Sequence, residues 1–462
     1  MRAAKKLAIL VGGGPAPGIN SVIGAATLRA RDSGVDVVGV QDGFKWIMQG
    51  DISHVQPLEV DEVSRIHFRG GSYIGIARDN PTRKQEHLEN AVTSLLRLNV
   101  DKLITIGGDD TAYSALRIEE RAAGRIRVVH VPKTIDNDLS LPHGTPTFGY
   151  NTARHMGVEL VENLMVDART TSRWYFVVTM GRTAGHLALG IGKSSGATLT
   201  LIPEEFPEEV IALSHIVDIL VGAIIKRLSY GRRDGVAMLA EGLLAQVDSK
   251  DLELLEQVER DAHGNIRLAE VSFGEIVKVR VQERLNEFGL KATIVAKNIG
   301  YELRCADPIP FDMEYTRDLG YCAAEFLING GNAAMVSMQQ GHFRPLSFKE
   351  MLDPDTGRAK VRRVDVTSEY YKIARSFMLR LGPEDFQDPH ELAKYAATAG
   401  VSLEEFRSQF EYLLHEDNLI KAAENGPRAI NGVSSPPEME EETSPSDIDG
   451  ASAPPETDGE KS

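Results

Sequence analysis

Eight short runs of apolar and β-branched residues recur through the first two thirds of the chain, and five of them end in glycine. They are LAILVGGG (7–14), VDVVGV (35–40), KLITIGG (102–108), RIRVVHVPK (125–133), WYFVVTMG (174–181), ATLTLIP (197–203), GVAMLAEG (235–242) and ATIVAKNIG (292–300). Such runs are apolar throughout rather than alternating, which is the pattern of strands buried on both faces. Longer helical patterns separate them, at 19–31, 88–98, 152–166 and 208–228. Strands of this kind alternating with helices specify parallel-rich sheets covered by helices. Six or more such units exceed one ordinary sheet. The sequence therefore predicts an α/β chain of two domains, and its 462 residues with 42% hydrophobic composition suffice to bury two or three cores.

Charge and cysteine usage narrow the class. A net charge of −16 argues against nucleic acid or an anionic membrane as partner. No apolar run approaches the ~20 residues of a membrane span. The start, MRAAKKLAIL, lacks a secretory pattern, so the expected compartment is the cytoplasm. Cys305 and Cys322 are too few for a disulfide framework and have no metal-site spacing. Residues 433–462 carry nine acids against one lysine, half of the net charge, and are expected to be a disordered acidic tail without a catalytic role. The stretch 244–268 reads as an insertion, and 350–428 as further helices to which the sequence assigns no chemistry.

Ligands of parallel sheets bind beyond the carboxyl ends of the strands. Acids, bases and hydroxyls cluster at those exits here: GGGPAPGIN (12–20), GGDDT (107–111), PKTIDND (132–138), MGRTAGH (180–186) and AEG (240–242). The first is a glycine-rich turn into a helix, suited to an anion, yet it is neither a P-loop nor a dinucleotide fingerprint. PKTIDND offers a cation at Lys133, a hydroxyl at Thr134, and the carboxylates Asp136 and Asp138, which share one side if the segment is extended. With Asp109 and Asp110 these acids fit a Mg²⁺ and general-base cluster for phosphoryl transfer. Asp and Asn at such places also serve plain turns and caps. GGDDT poses a puzzle, because a glycine pair suited to phosphate is joined directly to two carboxylates, with a helix expected from Thr111.

Taken together, GGGPAPGIN, GGDDTAYSA, PKTIDND, FGYNTA, VVTMGRTAGHLAL and AEG resemble, in order and spacing, the motifs of the phosphofructokinases over roughly residues 5–330. The resemblance implies that the two domains are similar and Rossmann-like, with parallel-rich sheets covered by helices, and that a phosphoryl group is transferred with Mg²⁺ to the 1-hydroxyl of fructose 6-phosphate in the cleft between them. It implies a donor-binding domain at 1–149 plus about 303–350, and a sugar-phosphate domain at 150–302 plus about 360–428. Asp136 resembles the base, Thr134 its neighbour at the sugar, Asp109 the Mg²⁺-side carboxylate, and Asp138 a support for both. Arg182 resembles the arginine near the transferring group, with Met180 and Gly181 beside it, and Glu241 the acid that binds sugar hydroxyls. Gly13, Arg78, Gly108 and Asp110 fall at the phosphoryl donor. For the 6-phosphate the resemblance points to Tyr301 and Arg304, and to Arg173 reaching in from a neighbouring subunit of a homodimer or homotetramer. Lys291 stands near a position usually held by arginine, and Arg317 is expected to start a helix rather than bind.

ATP-using members of the family have glycine where Asp110 stands, and usually where Lys133 stands. A carboxylate at 110 occupies the space of an α-phosphate and repels it; two unit charges ~4 Å apart interact by about 1 to 4 kcal/mol. Lys133 supplies a cation to hold a terminal phosphoryl and offset Asp110, and Phe44 replaces an aromatic hydroxyl common near the nucleotide. The resemblance is thus to the pyrophosphate-using branch, with diphosphate as donor, fructose 1,6-bisphosphate and phosphate as products, and a reversible reaction serving glycolysis and gluconeogenesis. An ATP-dependent enzyme and a non-catalytic sugar-phosphate-binding subunit are the alternatives, and sedoheptulose 7-phosphate is not excluded as a sugar.

Overall fold

The computed structural model describes residues 5–208, 210–253, 272–351 and 360–414. All eight apolar runs form strands: β1 (Lys6–Val11), β2 (Asp36–Val40), β4 (Val100–Gly107) and β5 (Arg127–Pro132) in one sheet, and β6 (Trp174–Thr179), β7 (Leu199–Leu201), β8 (Gly235–Ala240) and β9 (Ile294–Ile299) in another. Short edge pieces that the apolar pattern does not reveal complete the first sheet: β3 (Val55–Pro57), β10 (Ala334–Met335) and β13 (Leu346–Ser347). A small separate hairpin, β11 (Met338–Gln339) and β12 (His342–Phe343), lies between the last two. The first sheet runs β13-β10-β5-β4-β1-β2-β3, antiparallel only at its two outermost pairs. The second runs β7-β8-β6-β9 and is parallel throughout. Two to three residues suffice at the antiparallel edges because covered neighbours, not the edge itself, hold the sheet.

One hydrophobic cluster runs through both sheets. Leu7, Ile9, Ile104 and Val129 of the first join Val177, Val236 and Met238 of the second by way of the helices Ile19–Asp32, Tyr150–Thr171 and Pro310–Ile328. The start of Tyr150–Thr171, within the FGYNTA motif, is capped from outside its own sequence. Asp312 is fully buried and accepts the amides of Gly149 and Thr152 at 3.0 and 2.7 Å and the Thr152 hydroxyl at 2.6 Å. A carboxylate is favoured there because helix N-termini leave amides unpaired and carry partial positive charge.

Of the helical pattern at 350–428, residues 352–359 and 415–428 lie outside the described residues, and the rest forms Glu369–Ser376, Pro383–Gln387, Pro389–Ala399 and Leu403–Phe410, three of them with a Ser or Asp side chain accepting first-turn amides. Phe386, Leu392, Tyr395, Phe406 and Phe410 pack with Trp174, Phe176 and Leu220 against the second sheet. Boundaries shift at several places. The helix expected from Thr111 begins at Asp109, the one expected from 208 begins at Leu213, and Arg317 is exposed in mid-helix of Pro310–Ile328 rather than at a helix start. Within the 244–268 stretch, Leu243–Gln246 and Ser249–Glu253 are short helices; its remainder and the acidic tail at 433–462 lie outside the described residues. No helix among the described residues is long and apolar enough to cross a membrane.

Candidate active site

The exits of β4 and β5 lie side by side because the strands pair in parallel up to Gly107 and Pro132. The Lys133 amide then donates to the Gly107 carbonyl at 2.8 Å. Fully buried His130 holds the same carbonyl with Nε2 at 3.0 Å while its Nδ1 meets the Thr105 hydroxyl at 2.8 Å. Burial pushes its pKa down to about 3, so it is a neutral structural ligand of the loop. Anchoring Gly107 also anchors the helix that starts two residues on, at Asp109. Both acids of GGDDT therefore sit in a helix first turn, which explains how a glycine loop tolerates them.

The two acids differ in surroundings. Asp110 is exposed, and its carbonyl accepts the Ser114 hydroxyl. Asp109 is half-buried, and its Oδ1 has no hydrogen-bond partner among the described residues. Burial, then the charges of Asp138 and Asp110, push its pKa up to about 7. Asp136 stands likewise: its Oδ1 is buried and unpartnered, and burial, Asp138 and Glu241 push it up to about 7 against the opposing pull of Arg304 and Lys133. Lys133 is 4% exposed; its ammonium donates to the Gly14 carbonyl, and burial with the nearby cations Arg304 and Arg78 lowers it to about 8. Its electrostatic counterparts are Asp136 and Asp138, and not Asp110 as the charge-offset argument expects.

PKTIDND does not run extended. Asn137 is left-handed at φ 58°, and the Thr134 hydroxyl accepts the Asp136 amide at 3.0 Å, so a tight turn aims the carboxylates. Gly13, at φ +86°, gives its amide to Ala77, and a side chain there would come within 3.5 Å of the Lys133 ammonium; its contribution is open space beside that cation. At Gly108 a Cβ would meet the Lys133 carbonyl at 3.6 Å, an ordinary contact, and the backbone there is extended, so neither demands glycine. Arg78 is exposed just beyond Ala77, which pairs with Gly12.

Across the cleft, the MGRTAGH loop comes directly after β6. Gly181, at φ +128°, receives the Gly242 amide at 3.0 Å, and Thr179 receives that of Glu241 at 2.9 Å, which aligns the AEG exit with it. Met180 packs on Gly300, Arg182 is exposed, and the Thr183 hydroxyl donates to Asp138 Oδ2 at 2.9 Å, joining the loops of the two sheets. Arg304 lies against Gly14, with its guanidinium over the exposed Tyr301 ring at 5.4 Å, and is an electrostatic neighbour of both Lys133 and Asp136. It thus stands beside the acid and lysine of the centre.

Three further residues stand away from this cluster. Arg173 lies before β6, at the opposite end from Arg182, about 20 Å away at ~3.3 Å per strand residue; there it faces Asp167 at 3.8 Å. Lys291 precedes β9 at that same far end, since Trp174 pairs with Ile294. Phe44 is 1% exposed in the core beside Ala8 and Leu10, so it carries no information about the donor. Conversely, sequence reasoning missed Thr183, His130 and Arg362. The first lies inside a motif already singled out, but Arg362 has no local signal: it comes from the region after both sheets and binds the turn at Asn137.

Known proteins match this arrangement. Residues 6–327 match the phosphofructokinase family. A Naegleria fowleri protein named pyrophosphate–fructose 6-phosphate 1-phosphotransferase is 50% identical over 417 residues, 88% of this chain and 95% of its own. A Thermotoga maritima protein of the same name is 51% identical over 412 residues, 88% of this chain and 98% of its own. Among solved structures, phosphofructokinase from Saccharomyces cerevisiae aligns with a TM-score of 0.60 at 21% identity, over 88% of this chain and 50% of that one. A pyrophosphate-dependent phosphofructokinase from Nitrosospira multiformis aligns at 0.58 and 18% identity, over 80% and 92%. On the match over most of its length, and with its motifs gathered at one set of strand exits, this chain belongs to the phosphofructokinase family.

Proposed function

We propose that the chain catalyses the reversible transfer of a phosphoryl group from pyrophosphate to the 1-hydroxyl of fructose 6-phosphate. The observation that carries this reading is the pair Asp136 and Lys133: a buried carboxylate with an unpartnered oxygen, poised near neutrality, beside a buried ammonium. A base with a pKa near working pH is able to take the sugar proton and return it in the reverse direction. Lys133, Arg304 and Arg78 supply fixed positive charge where the transferring phosphoryl develops negative charge, and Arg182 approaches from the other sheet. Thr134, Met180, Gly181 and Glu241 line the sugar side, with Tyr301 at the rim.

Mg²⁺ fits the acids present. The unpartnered oxygen of Asp109, with Asp138 and Asp110 close enough to perturb it, offers the hard-oxygen ligands that Mg²⁺ takes together with water and phosphate. When bound, Mg²⁺ neutralises phosphate charge during transfer. The donor assignment rests on Asp110 and Lys133 standing where ATP-using members carry glycine, and on the name shared by two relatives half identical to this chain. Arg173, out of reach of its own site, is read as completing the 6-phosphate pocket of a partner in a homodimer or larger assembly.

The test compares pyrophosphate with ATP as donor, at equal Mg²⁺, with fructose 6-phosphate as acceptor. Turnover with pyrophosphate at least tenfold above that with ATP is the expected result; turnover with ATP alone refutes the donor assignment.

A further inference from the structure

Each of the three guanidinium nitrogens of Arg362 donates to one loop. Nε donates to the Asn137 carbonyl at 3.0 Å, Nη1 to the Thr145 carbonyl at 2.8 Å, and Nη2 to the Asn137 side-chain oxygen. The Arg362 amide adds a bond to the Asp138 carbonyl at 2.6 Å. The Asn137 side-chain oxygen also receives the Thr147 amide at 3.0 Å. A non-glycine residue in the left-handed region persists only when its surroundings hold it there, and the Arg362 fork is a large part of those surroundings. Because Asn137 stands between Asp136 and Asp138, its conformation decides where both carboxylates point.

The same short strap grips the other side of the cleft. Val361 bridges Leu139, and the Ser140 amide donates to Lys360 at 3.3 Å. The Arg362 carbonyl meets His186 Nε2 at 3.2 Å, four residues after Arg182. The Val364 amide donates to Glu204 at 2.9 Å, and Glu204 also accepts the Gly185 amide at 2.9 and 3.1 Å. Residues 360–364 thereby tie the first sheet's Asp136 loop to the second sheet's Arg182 loop. The exposed Thr183 to Asp138 bond runs parallel to this link.

We propose that Arg362 is a positioning residue for phosphoryl transfer, holding Asn137 so that Asp136 and Asp138 face the loop that carries Arg182. The inference rests on the reading of Asp136 as base. Misplacing a reacting group by about 1 Å costs up to roughly a hundredfold in rate. R362A is therefore expected to lower kcat about 30- to 100-fold per native molecule, with both KM values within about threefold of the parent. R362K, which keeps charge but not the planar fork, should recover only part of the loss, and millimolar guanidinium should raise R362A turnover several-fold without affecting the parent. N137A should fall to a similar level, and R362A/N137A should be no worse than the poorer single variant, because both remove the same constraint.

A kcat for R362A within threefold of the parent overturns the proposal, as do losses that multiply in the double variant. Should R362A fail to fold, R362K and N137A carry the same comparison. Failure of the donor reading is separable: if the parent uses ATP rather than pyrophosphate, the variant-to-parent ratio is measured with ATP and still decides the role of Arg362.

Discussion

The two ends of the cleft are built to different degrees of completion. Around β4 and β5, Asp109, Asp136 and Lys133 are at least half-buried and shifted by burial and by neighbouring charges, Asp138 among them for all three. Away from this cluster, Tyr301 and Arg182 are exposed, and Arg173 and Lys291 stand a strand length away. On the proposed reading the transfer centre would be complete within one chain, at an electrostatic cost, whereas anion recognition would be left for substrate and a partner subunit to complete. Burying a charged group without its partner is expensive, so only groups whose altered proton affinity serves the reaction are placed that way.

If the finished end does the chemistry, its loss outweighs any at the open end. Asp136→Asn should lower turnover about a thousandfold while fructose 6-phosphate binding, measured by calorimetry, stays within a few-fold. Near-parent turnover would remove Asp136 from the role of base. At the open end, Arg173→Ala should raise KM for fructose 6-phosphate about a hundredfold with little change in kcat, the cost of roughly one charge-assisted phosphate contact. Mixing Asp136→Asn with Arg173→Ala, assayed at fructose 6-phosphate far below the raised KM where each alone is nearly silent, sharpens the contrast. Hybrid oligomers pair an intact Asp136 with an intact Arg173 of the partner and should regain measurable activity, whereas a site complete within each chain predicts none.

A pH series tests the electrostatic cost. With Asp136 raised to about 7, the base form is lost as the pH falls through that value, so kcat/KM should drop about tenfold per unit below it. Lys133, lowered to about 8, loses its charge above that point and sets the alkaline limb. Stability runs the opposite way. A carboxyl whose folded pKa is raised contributes stability at low pH that is lost as the pH rises through the folded value. Asp136→Asn removes that penalty and should raise the melting temperature by about 2–4 °C at about pH 8, a gain that shrinks toward about pH 5. A variant that melts lower at both pH values would show the carboxylate to be a net stabiliser.

How far the sequence speaks differs between the same two ends. Strands buried on both faces announce themselves as unbroken apolar runs, and every one predicted is observed, because the signal is local. Edge strands of two or three residues, such as Ala334–Met335, carry no periodicity and are fixed only by the neighbour they pair with. The acids and lysine of the transfer centre lie in contiguous motifs, so their company was legible. Their surroundings were not: the extended reading of PKTIDND fails at Asn137, whose left-handed turn is imposed in part by an arginine more than two hundred residues on. Likewise Phe44 sits beside a motif in sequence but packs into the core, since position along a strand exit does not say which way a side chain turns.

The donor preference is the smallest effect expected and the most informative about how the halves combine. Asp110 and Lys133 enter the pyrophosphate argument as a pair, but the structure separates them: Asp110 is exposed in the helix first turn, and Lys133 is buried beside Asp136 and the Gly14 carbonyl. Removing a rim carboxylate relieves repulsion of about 1 to 4 kcal/mol without disturbing the centre. Asp110→Gly should then raise the ATP-to-pyrophosphate ratio of kcat/KM about tenfold while pyrophosphate turnover persists. Lys133→Gly takes a cation from between two carboxylates, so it should depress turnover with either donor and push Asp136 further up, moving the acid limb to higher pH. The double variant should resemble Lys133→Gly in rate and Asp110→Gly in donor ratio. An ATP ratio unchanged in Asp110→Gly would mean that the acid is a bystander on the rim, and that donor choice lies with the buried lysine alone.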